Sequence, residues 1–470
     1  MLPRRLPNKA PRQRRNNRED APMTVSKLSR ALGLPLVAVL ALGLAGCGII
    51  GGKGGGPKTP TVGNRVPILS RIESGAKVDA TLATVAVILP PEETNADWPQ
   101  PGGNAGKSYG HVALAQAPHK LWSASIAGSS NSQRLASAPV VGKGTLFAMG
   151  TDGLVSAFDA ASGARRWTRA FSVSGDGKSS VYGGGVSYDN DRVYVTTGTG
   201  DVAVLDAASG NQIWKVKPAG PLRGAATIAY NSVFVMTQNN QIHALNAEDG
   251  AVLWSETSSP GQAGVFGVAA PAAGQGTVIA GYSTGELAAY RYENGRTLWS
   301  DALARTSIST QVGTLTDVDA DPIIDRGRVY ALGQGGRMAA YELVSGQRIW
   351  ELNLAGISTP AVAGEWVFTL TDDSKLLCIA RTTGKVRWLT QLTRFKNEKK
   401  RKNAVFWTGP VLAGNRLWVA NSEGQLGTVS VMDGIYTPFT KLGEPVTLAP
   451  IVANGVLYVL DDGGRITAFR

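Results

Sequence analysis

Short apolar stretches recur along the chain from about residue 120 to the C-terminus, separated by turns rich in Gly, Asp and Asn. Four of them form one unit, as in STPAVAG, EWVFTLT, KLLCIAR and KVRWLTQL over residues 358–392. Their length, their β-branched and aromatic content and the turns between them predict β-strands. The third stretch is apolar on both faces, as in LVSAF over residues 154–158, which indicates a strand covered on both sides. The pattern predicts an all-β fold.

One unit is repeated along the chain, and six copies place a Gly four residues before a Trp. A seventh copy keeps Gly434 but has Pro438 in the Trp position, and an eighth, RITAFR, stops at the chain end. Repeats of this length made of four short strands are typical of β-propeller blades. The six Trp residues are Trp167, Trp214, Trp254, Trp299, Trp350 and Trp388, and an isolated HKLW ends at Trp122.

These repeats predict an eight-bladed β-propeller of four-stranded antiparallel blades. Seven units are complete, and the eighth is divided between HKLW near residue 120 and RITAFR at the C-terminus. We expect these two segments to pair, because closure of the ring removes free sheet edges. In turns such as Asp159–Gly163, the Asp and Gly suit a tight turn with a positive φ. The Trp that follows is expected to dock between neighbouring blades.

The N-terminal region has the pattern of a secretory signal. From Met23, a short basic segment precedes an apolar run over residues 31–45, too short for a comfortable membrane span. The run ends in LAGC, which resembles the lipobox of bacterial lipoproteins, so Cys47 is the predicted lipidation site. Gly48 after it implies transport to the outer membrane. Translation could start at Met1 or at Met23.

Three regions are predicted on this basis. Residues 1–46 are an N-terminal extension and signal peptide, and residues 47–96 are a flexible tether rich in Gly, Pro and Lys. Residues 97–470 form the propeller. Within the tether, the weakly apolar stretch over residues 78–91 is expected to pack onto the folded body as a strand.

The positive charge is concentrated in two places. The chain has a formal net charge of +12, of which residues 1–46 contribute +7 and the run RFKNEKKRKN over residues 394–403 contributes +5. The remainder is neutral, which disfavours a nucleic-acid-binding surface. The basic run has two interpretations, a solvated loop or a contact with anionic lipid headgroups or an acidic partner.

Metal chemistry is not expected. Three His and two Cys are too few and too scattered for a zinc site or a disulfide framework. The string DVDAD, with Asp317, Asp319 and Asp321, begins like an EF-hand loop. Pro322 stands where that loop needs Gly, and Arg328 where it needs the bidentate Glu. The calcium interpretation therefore fails.

The repeats AFDAASGARRW and VLDAASGNQIW resemble the tryptophan-docking repeats of pyrroloquinoline-quinone (PQQ) propellers over about 350 residues. Together with the lipobox, the tether and the WPQPGG start at Trp98, they make the chain similar to the BamB family, lipoproteins of the β-barrel assembly machinery. The resemblance implies a non-enzymatic scaffold without a cofactor. It also implies binding to the periplasmic domains of a BamA-like barrel assembly subunit, and assistance in inserting outer-membrane proteins.

The family's partner-binding strings have counterparts in this chain. A Leu-Arg-Gly string is present at Leu222 and Arg223, and an Asp-x-Asp string at Asp317 and Asp319. The resemblance implies that these four residues contact the assembly subunit. Arg223 would then offer its planar donors to a carboxylate of the partner, and the two Asp would accept from its Lys or Arg. The alternative is that Arg223 is a solvated surface charge and the acids only cap a turn.

Two other functions compete with the scaffold. A PQQ-dependent quinoprotein dehydrogenase needs cations for the quinone carboxylates, a calcium ion and a catalytic base. Against it, Cys378 is the only thiol beyond Cys47, so the adjacent Cys pair of many such enzymes is missing. A general envelope binding or adhesion propeller would use the same repeat. Exposed blade edges also offer strand pairing to unfolded outer-membrane proteins.

Overall fold

The strands of this computed structural model form eight four-stranded antiparallel sheets within the described residues 76–171, 182–258, 267–303 and 317–470. The sheets are the blades of an eight-bladed β-propeller, as the repeats predict. Cys47 and the predicted signal peptide lie outside the described residues. In the described part of the chain, no helix has the length and apolar character needed to cross a membrane.

Each blade runs from an inner strand to an outer strand, and the blades are numbered in chain order. Blade 1 consists of β2 (Val140–Gly142), β3 (Thr145–Met149), β4 (Leu154–Asp159) and β5 (Arg165–Ala170), and blade 2 of β6 (Gly184–Asp189), β7 (Arg192–Thr197), β8 (Val202–Asp206) and β9 (Gln212–Val216). Blade 3 consists of β10 (Thr227–Ala229), β11 (Ser232–Met236), β12 (Gln241–Asn246) and β13 (Val252–Thr257), and blade 4 of β14 (Ala272–Gly274), β15 (Thr277–Gly281), β16 (Glu286–Arg291) and β17 (Thr297–Ala302).

The second half of the ring repeats this arrangement and adds a two-stranded hairpin between blades 6 and 7. Blade 5 consists of β18 (Ile323–Asp325), β19 (Arg328–Gly333), β20 (Arg337–Glu342) and β21 (Arg348–Leu352), and blade 6 of β22 (Ala361–Ala363), β23 (Trp366–Leu370), β24 (Lys375–Ala380) and β25 (Val386–Gln391). The hairpin consists of β26 (Phe395–Asn397) and β27 (Lys402–Ala404). Blade 7 consists of β28 (Trp407–Ala413), β29 (Arg416–Asn421), β30 (Gln425–Ser430) and β31 (Tyr436–Lys441), and blade 8 of β32 (Ile451–Ala453), β33 (Val456–Leu460), β34 (Arg465–Phe469) and β1 (Lys120–Ser125).

The two ends of the propeller sequence close the ring. β1 is the outer strand of blade 8 and pairs antiparallel with β34, with Trp122 opposite Ala468 and Ser125 opposite Arg465. The predicted pairing of HKLW with RITAFR is confirmed. The core lies between the blades, because the three inner strands of each blade are almost entirely buried while the outer strand alternates between exposed and covered positions.

The recurrent Trp joins each blade to the next. In seven blades of the described chain, the outer-strand Trp donates its indole N–H to a main-chain oxygen in the third turn of the following blade, at 2.7 to 3.1 Å. The ring also covers the Gly of that turn, so closely that a Cβ atom there would lie within 2.9 Å of it. The seven Gly residues are Gly163, Gly210, Gly250, Gly295, Gly346, Gly384 and Gly434.

Residues 76–96 belong to the folded body, which corrects the predicted tether of residues 47–96 and the expected start of the fold near Trp98. Val78 forms a bridge to Val386 of blade 6, and Val87 is buried in the core of blades 6 and 7. The segment is irregular apart from a 3-10 helix, Ala80–Leu82. It therefore packs on the propeller as expected, but through an isolated bridge and a 3-10 helix rather than as a strand.

Residues 95–113 form a cross-channel segment that passes over the centre of the ring. The segment hydrogen-bonds to the inner strands or their turns in blades 1, 2, 3, 4, 5, 7 and 8. In blade 3, for example, the side-chain amide of Gln100 exchanges two 3.0 Å hydrogen bonds with the main chain of Ile228. The segment thus ties the inner strands together at one end of the channel.

Substitution of a docking glycine should destabilise the ring more than substitution of a turn glycine that has no neighbour. Gly295 (φ +72°) lies under Trp254, whereas Gly327 (φ +75°) has nothing near its missing Cβ. Gly327→Ala should cost about 1 kcal/mol of unfolding free energy for the left-handed backbone alone. Gly295→Ala should cost about 1–3 kcal/mol more, because the ring must shift. Urea denaturation of both variants measures this difference, and equal losses would contradict the docking role.

Candidate functional site

The candidate residues lie on one face of the ring, here called the upper rim. It is formed by the connections from the outer strand of one blade to the inner strand of the next, and by the turns between second and third strands. Leu222 and Arg223 lie in the connection from blade 2 to blade 3, and Asp317 and Asp319 in the connection from blade 4 to blade 5. The predicted shared rim is therefore observed in the structure.

Arg223, Asp317 and Asp319 form an ion-paired rim cluster. The Nη2 atom of Arg223 donates to Oδ1 of Asp317 and to Oδ1 of Asp319, both at 2.8 Å. The main chain of Arg223 is fixed as well, since its N–H donates to Met236 and its carbonyl accepts from Gly184. The cluster thus couples two connections that lie 94 residues apart in sequence.

A third connection supports the cluster, and sequence reasoning missed it. Gly267, between blades 3 and 4, lies so close that a Cβ atom there would collide with the Asp319 carboxylate and the Arg223 guanidinium. Its carbonyl accepts from the side-chain amide of Gln238 at 3.2 Å. Gly267 lies outside the repeat, so nothing in the sequence pattern distinguishes it from the other glycines between blades.

Burial sets the electrostatics of the cluster. The side chains of Arg223 and Asp317 are 1% and 0% exposed, and that of Asp319 is 11% exposed. Burial, reinforced by the Asp317 carboxylate, raises the pKa of Asp319 from 3.8 to about 6, although Arg223 acts in the opposite direction. Nε and Nη1 of Arg223 are buried and have no hydrogen-bond partner in the described part of the chain.

A cavity of about 540 Å³ extends from the upper rim into the channel. Trp98, Pro101 and Tyr109 of the cross-channel segment line it, together with Asp319 and Ile357 of the rim. Most of its lining is apolar or uncharged, so it can receive an apolar or neutral segment more readily than an ion.

A buried Lys and Asp link the cross-channel segment to the rim connections. Lys107 is 1% exposed, and its ammonium donates to Thr227 Oγ1 at 3.0 Å. Burial lowers the pKa of Lys107 from 10.5 to about 8, with Asp321 opposing the shift. Asp321 also accepts from the main-chain N–H of Ala270 at 2.8 Å. Sequence reasoning did not identify Lys107, since a single Lys outside the repeat carries no pattern.

The structure shows how accessible the predicted site residues are. Leu222, Arg223 and Asp317 are fully buried, and the expectation that they contact a partner stays a prediction. The guanidinium of Arg223 is not solvated, because it is buried, and its Nη2 atom donates to two of the chain's own carboxylates. Asp319 alone of the four is partly accessible. Among the described residues, no group of His, Cys, Asp and Glu is arranged to hold a metal ion.

The raised pKa of Asp319 predicts a pH-dependent contribution to stability. The folded chain retains the Asp319 proton between pH 3.8 and about 6, where the unfolded chain has lost it, so this group makes the fold less stable as pH rises through that window. Asp319→Asn should remove that slope, whereas Asp152→Asn, which changes an exposed carboxylate on the same rim, should retain it. Urea midpoints measured across the window test this, and an unchanged slope in Asp319→Asn would refute it.

Comparisons with known proteins agree with the geometry. The family model described as "Outer membrane protein assembly factor BamB" matches residues 106–181 and 151–390. Proteins of that name from Yersinia pestis and Xanthomonas campestris are 26% and 25% identical to the chain. The first alignment covers 75% of this chain and 88% of the relative, and the second 93% and 96%.

Solved structures show the same fold. The crystal structure of BamB from Moraxella catarrhalis has a TM-score of 0.62 at 20% identity, covering 75% of this chain and 99% of that one. A quinohemoprotein alcohol dehydrogenase from Comamonas testosteroni also has a TM-score of 0.62, at 15% identity, covering 84% and 82%. At these identities the structures establish only the propeller, and the family match, which extends over more than half of the chain, establishes that the chain belongs to the outer membrane protein assembly factor BamB family.

Proposed function

We propose that the protein is a non-enzymatic scaffold for outer-membrane protein assembly that binds a BamA-like barrel assembly subunit. The names of its relatives support the assembly role. The apolar run and LAGC before residue 48 support a lipid on Cys47 that holds the protein at the outer membrane, facing the periplasm. A tethered ring raises the local concentration of the components that must meet.

The rim cluster is the observation that carries the proposal. A buried Arg between two carboxylates is costly, and Nε and Nη1 of Arg223 have no hydrogen-bond partner in the described part of the chain. The cluster nevertheless joins three neighbouring connections of the upper rim. The exposed groups beside it are then presented in one arrangement. They include Pro221 next to Leu222 and the accessible edge of Asp319. Ile357 of the connection from blade 5 to blade 6, which is 51% exposed, lines the same cavity as Asp319.

In this arrangement the buried residues act as positioning residues and the exposed ones form the contact. Ile357 offers an apolar anchor at the mouth of the cavity, and Asp319 offers a carboxylate oxygen to a Lys or Arg of the partner. The family strings are therefore retained here as the support of the contact surface rather than as the surface itself.

The dehydrogenase alternative is weaker. Two carboxylates occupy Arg223, and Lys107 is buried against Thr227 and the cross-channel segment, so these cations are not available for quinone carboxylates. Cys378 is buried in β24, and burial raises the pKa of its thiol well above the usual range. A general envelope-binding propeller stays the second candidate. It would use the same ring to bind an envelope component other than the assembly subunit.

A single apolar rim residue should control capture of the assembly subunit. Ile357→Asp places a charge at the proposed contact without disturbing the core, and it should reduce recovery of a BamA-like protein from solubilised envelope at least about tenfold. The matched control is Val344→Asp, on the third turn of blade 5 and thus on the opposite rim, where the side chain is 75% exposed. Recovery by that variant should equal recovery by the parent.

Circular dichroism of both variants verifies that the ring is folded. Equal recovery by both variants would move the contact away from this part of the rim. Failure of the parent itself to recover the subunit would overturn the assembly-scaffold proposal in favour of another envelope partner.

A further inference from the structure

The β26–β27 hairpin is a rigidly rooted projection on the upper rim between blades 6 and 7. Its base is fixed by Val405, which is buried, and by Trp407, whose indole N–H donates to the carbonyl of Thr393 at 2.8 Å. The main-chain N–H of Phe406 donates to the Ser422 hydroxyl at 3.0 Å, and the Phe406 carbonyl accepts from the main-chain N–H of Ser422 at 2.8 Å. The tip of the hairpin is fully exposed. A rooted hairpin with an exposed tip presents its side chains at a fixed place on the rim.

Most of the positive charge of the hairpin is unpaired. Glu398 is its one acid, and Oε1 of its carboxylate accepts from the main-chain N–H groups of Arg394 and Phe395. Lys396 pairs with Glu423 at 2.6 Å. Four basic side chains at the tip have neither an ion pair nor a side-chain hydrogen bond in the described part of the chain: Lys399, Lys400, Arg401 and Lys402.

The charge of this hairpin is unusual for the chain. Residues 394–403 have a net charge of +5, and everything else after residue 46 sums to zero. Solubility would be served by charges spread over the surface. Concentration of the net charge of residues 47–470 on one projecting hairpin instead creates a local positive field, which attracts an anionic surface.

An exposed aromatic ring lies at the base of the hairpin. Phe406 is 66% exposed, the only Phe among the described residues with such exposure, and it follows the hairpin directly in sequence. Basic residues next to an exposed aromatic ring are typical of segments that settle into the headgroup region of a bilayer. Three of the four unpaired basic residues are Lys, which act as point charges toward phosphate, whereas recognition of a protein carboxylate favours the planar fork of Arg.

We propose that the β26–β27 hairpin and Phe406 dock the propeller onto an anionic phospholipid surface. The inference goes beyond the proposed scaffold function, because it concerns another sector of the rim and another kind of partner. The rim cluster lies in the connections between blades 2 and 5 and the hairpin in the connection between blades 6 and 7, while Phe406 at the base of the hairpin lines the same cavity as Asp319 and Ile357. A lipid on Cys47 and this hairpin would then be two membrane contacts, which together hold a protein more firmly than one acyl chain.

Vesicle flotation of residues 48–470, which contain the whole closed ring but neither the signal peptide nor Cys47, tests the proposal. The parent should float with vesicles of equimolar phosphatidylglycerol and phosphatidylcholine, should not float with phosphatidylcholine alone, and should be released by high salt. Neutralisation of the tip by Lys399→Gln, Lys400→Gln, Arg401→Gln and Lys402→Gln should weaken binding more than about a hundredfold, at about fivefold per charge.

A control variant removes four charges elsewhere. Lys77, Arg169, Lys217 and Arg296 are exposed, and their replacement by Gln changes the net charge equally. This variant should bind the anionic vesicles within about threefold of the parent. Equal losses in the two variants would reduce the effect to overall charge and overturn the proposal, as would failure of the parent to float.

A second comparison distinguishes lipid from an acidic protein. Phe406→Ser should weaken vesicle binding about tenfold, and should leave binding to soluble polyglutamate unchanged. If the parent bound polyglutamate as tightly as the vesicles and Phe406→Ser had no effect on either, the hairpin would be a contact for acidic protein and the lipid proposal would be wrong.

Discussion

The ring depends on one interaction, the docking of an outer-strand Trp on the glycine turn of the next blade. The interaction requires a donor N–H, an apolar ring and a turn without a side chain, and it recurs at seven of the blade boundaries in the described chain. Blade 7 is the exception, because its outer strand has Pro438 in the Trp position. The boundary between blades 7 and 8 explains why. Blade 8 has no third turn, because its third and fourth strands are the two ends of the propeller sequence. A Trp in place of Pro438 would have no turn to dock on, and Phe439 packs against Trp418 and Phe469 instead.

Because docking and closure fix the blades, the upper rim can carry arrangements that cost stability. Removing one member of a buried ion pair typically costs about 3–5 kcal/mol, while replacing the whole pair with apolar groups is often neutral. The rim cluster therefore contributes less to stability than to the arrangement of the connections. Gly267 fits the same interpretation, since only a residue without a side chain allows the third connection to close over Arg223 and Asp319. The cross-channel segment supports the inner strands on the opposite side.

The sequence predicts the parts of the structure that repeat and fails where nothing repeats. Strand order, blade number and ring closure follow from the period of the Trp and Gly positions. The connections have no period, so the sequence could show that Arg223 and Asp319 occur together but not that Arg223 is buried between the carboxylates. Burial there depends on the path of a third connection through Gly267. Lys107 was missed for the same reason, because it is fixed by a hydrogen bond to Thr227, 120 residues away in sequence.

Charges on the upper rim are used in two different ways. Those of the rim cluster are buried and paired at 2.8 Å, so mobile ions screen them little and they act within the chain. Those of the hairpin tip are exposed and unpaired in the described chain, so their attraction extends over about a Debye length and weakens with salt. A contact surface that the first arranges, with Ile357 as its apolar anchor and one carboxylate oxygen of Asp319, should bind with a strength that depends less on ionic strength than binding by the four unpaired charges of the hairpin tip. The salt dependence of binding therefore distinguishes the partner surface from the lipid surface without any mutation. It does so because the charges of the rim cluster are buried and paired, whereas those of the hairpin tip are exposed and unpaired in the described chain.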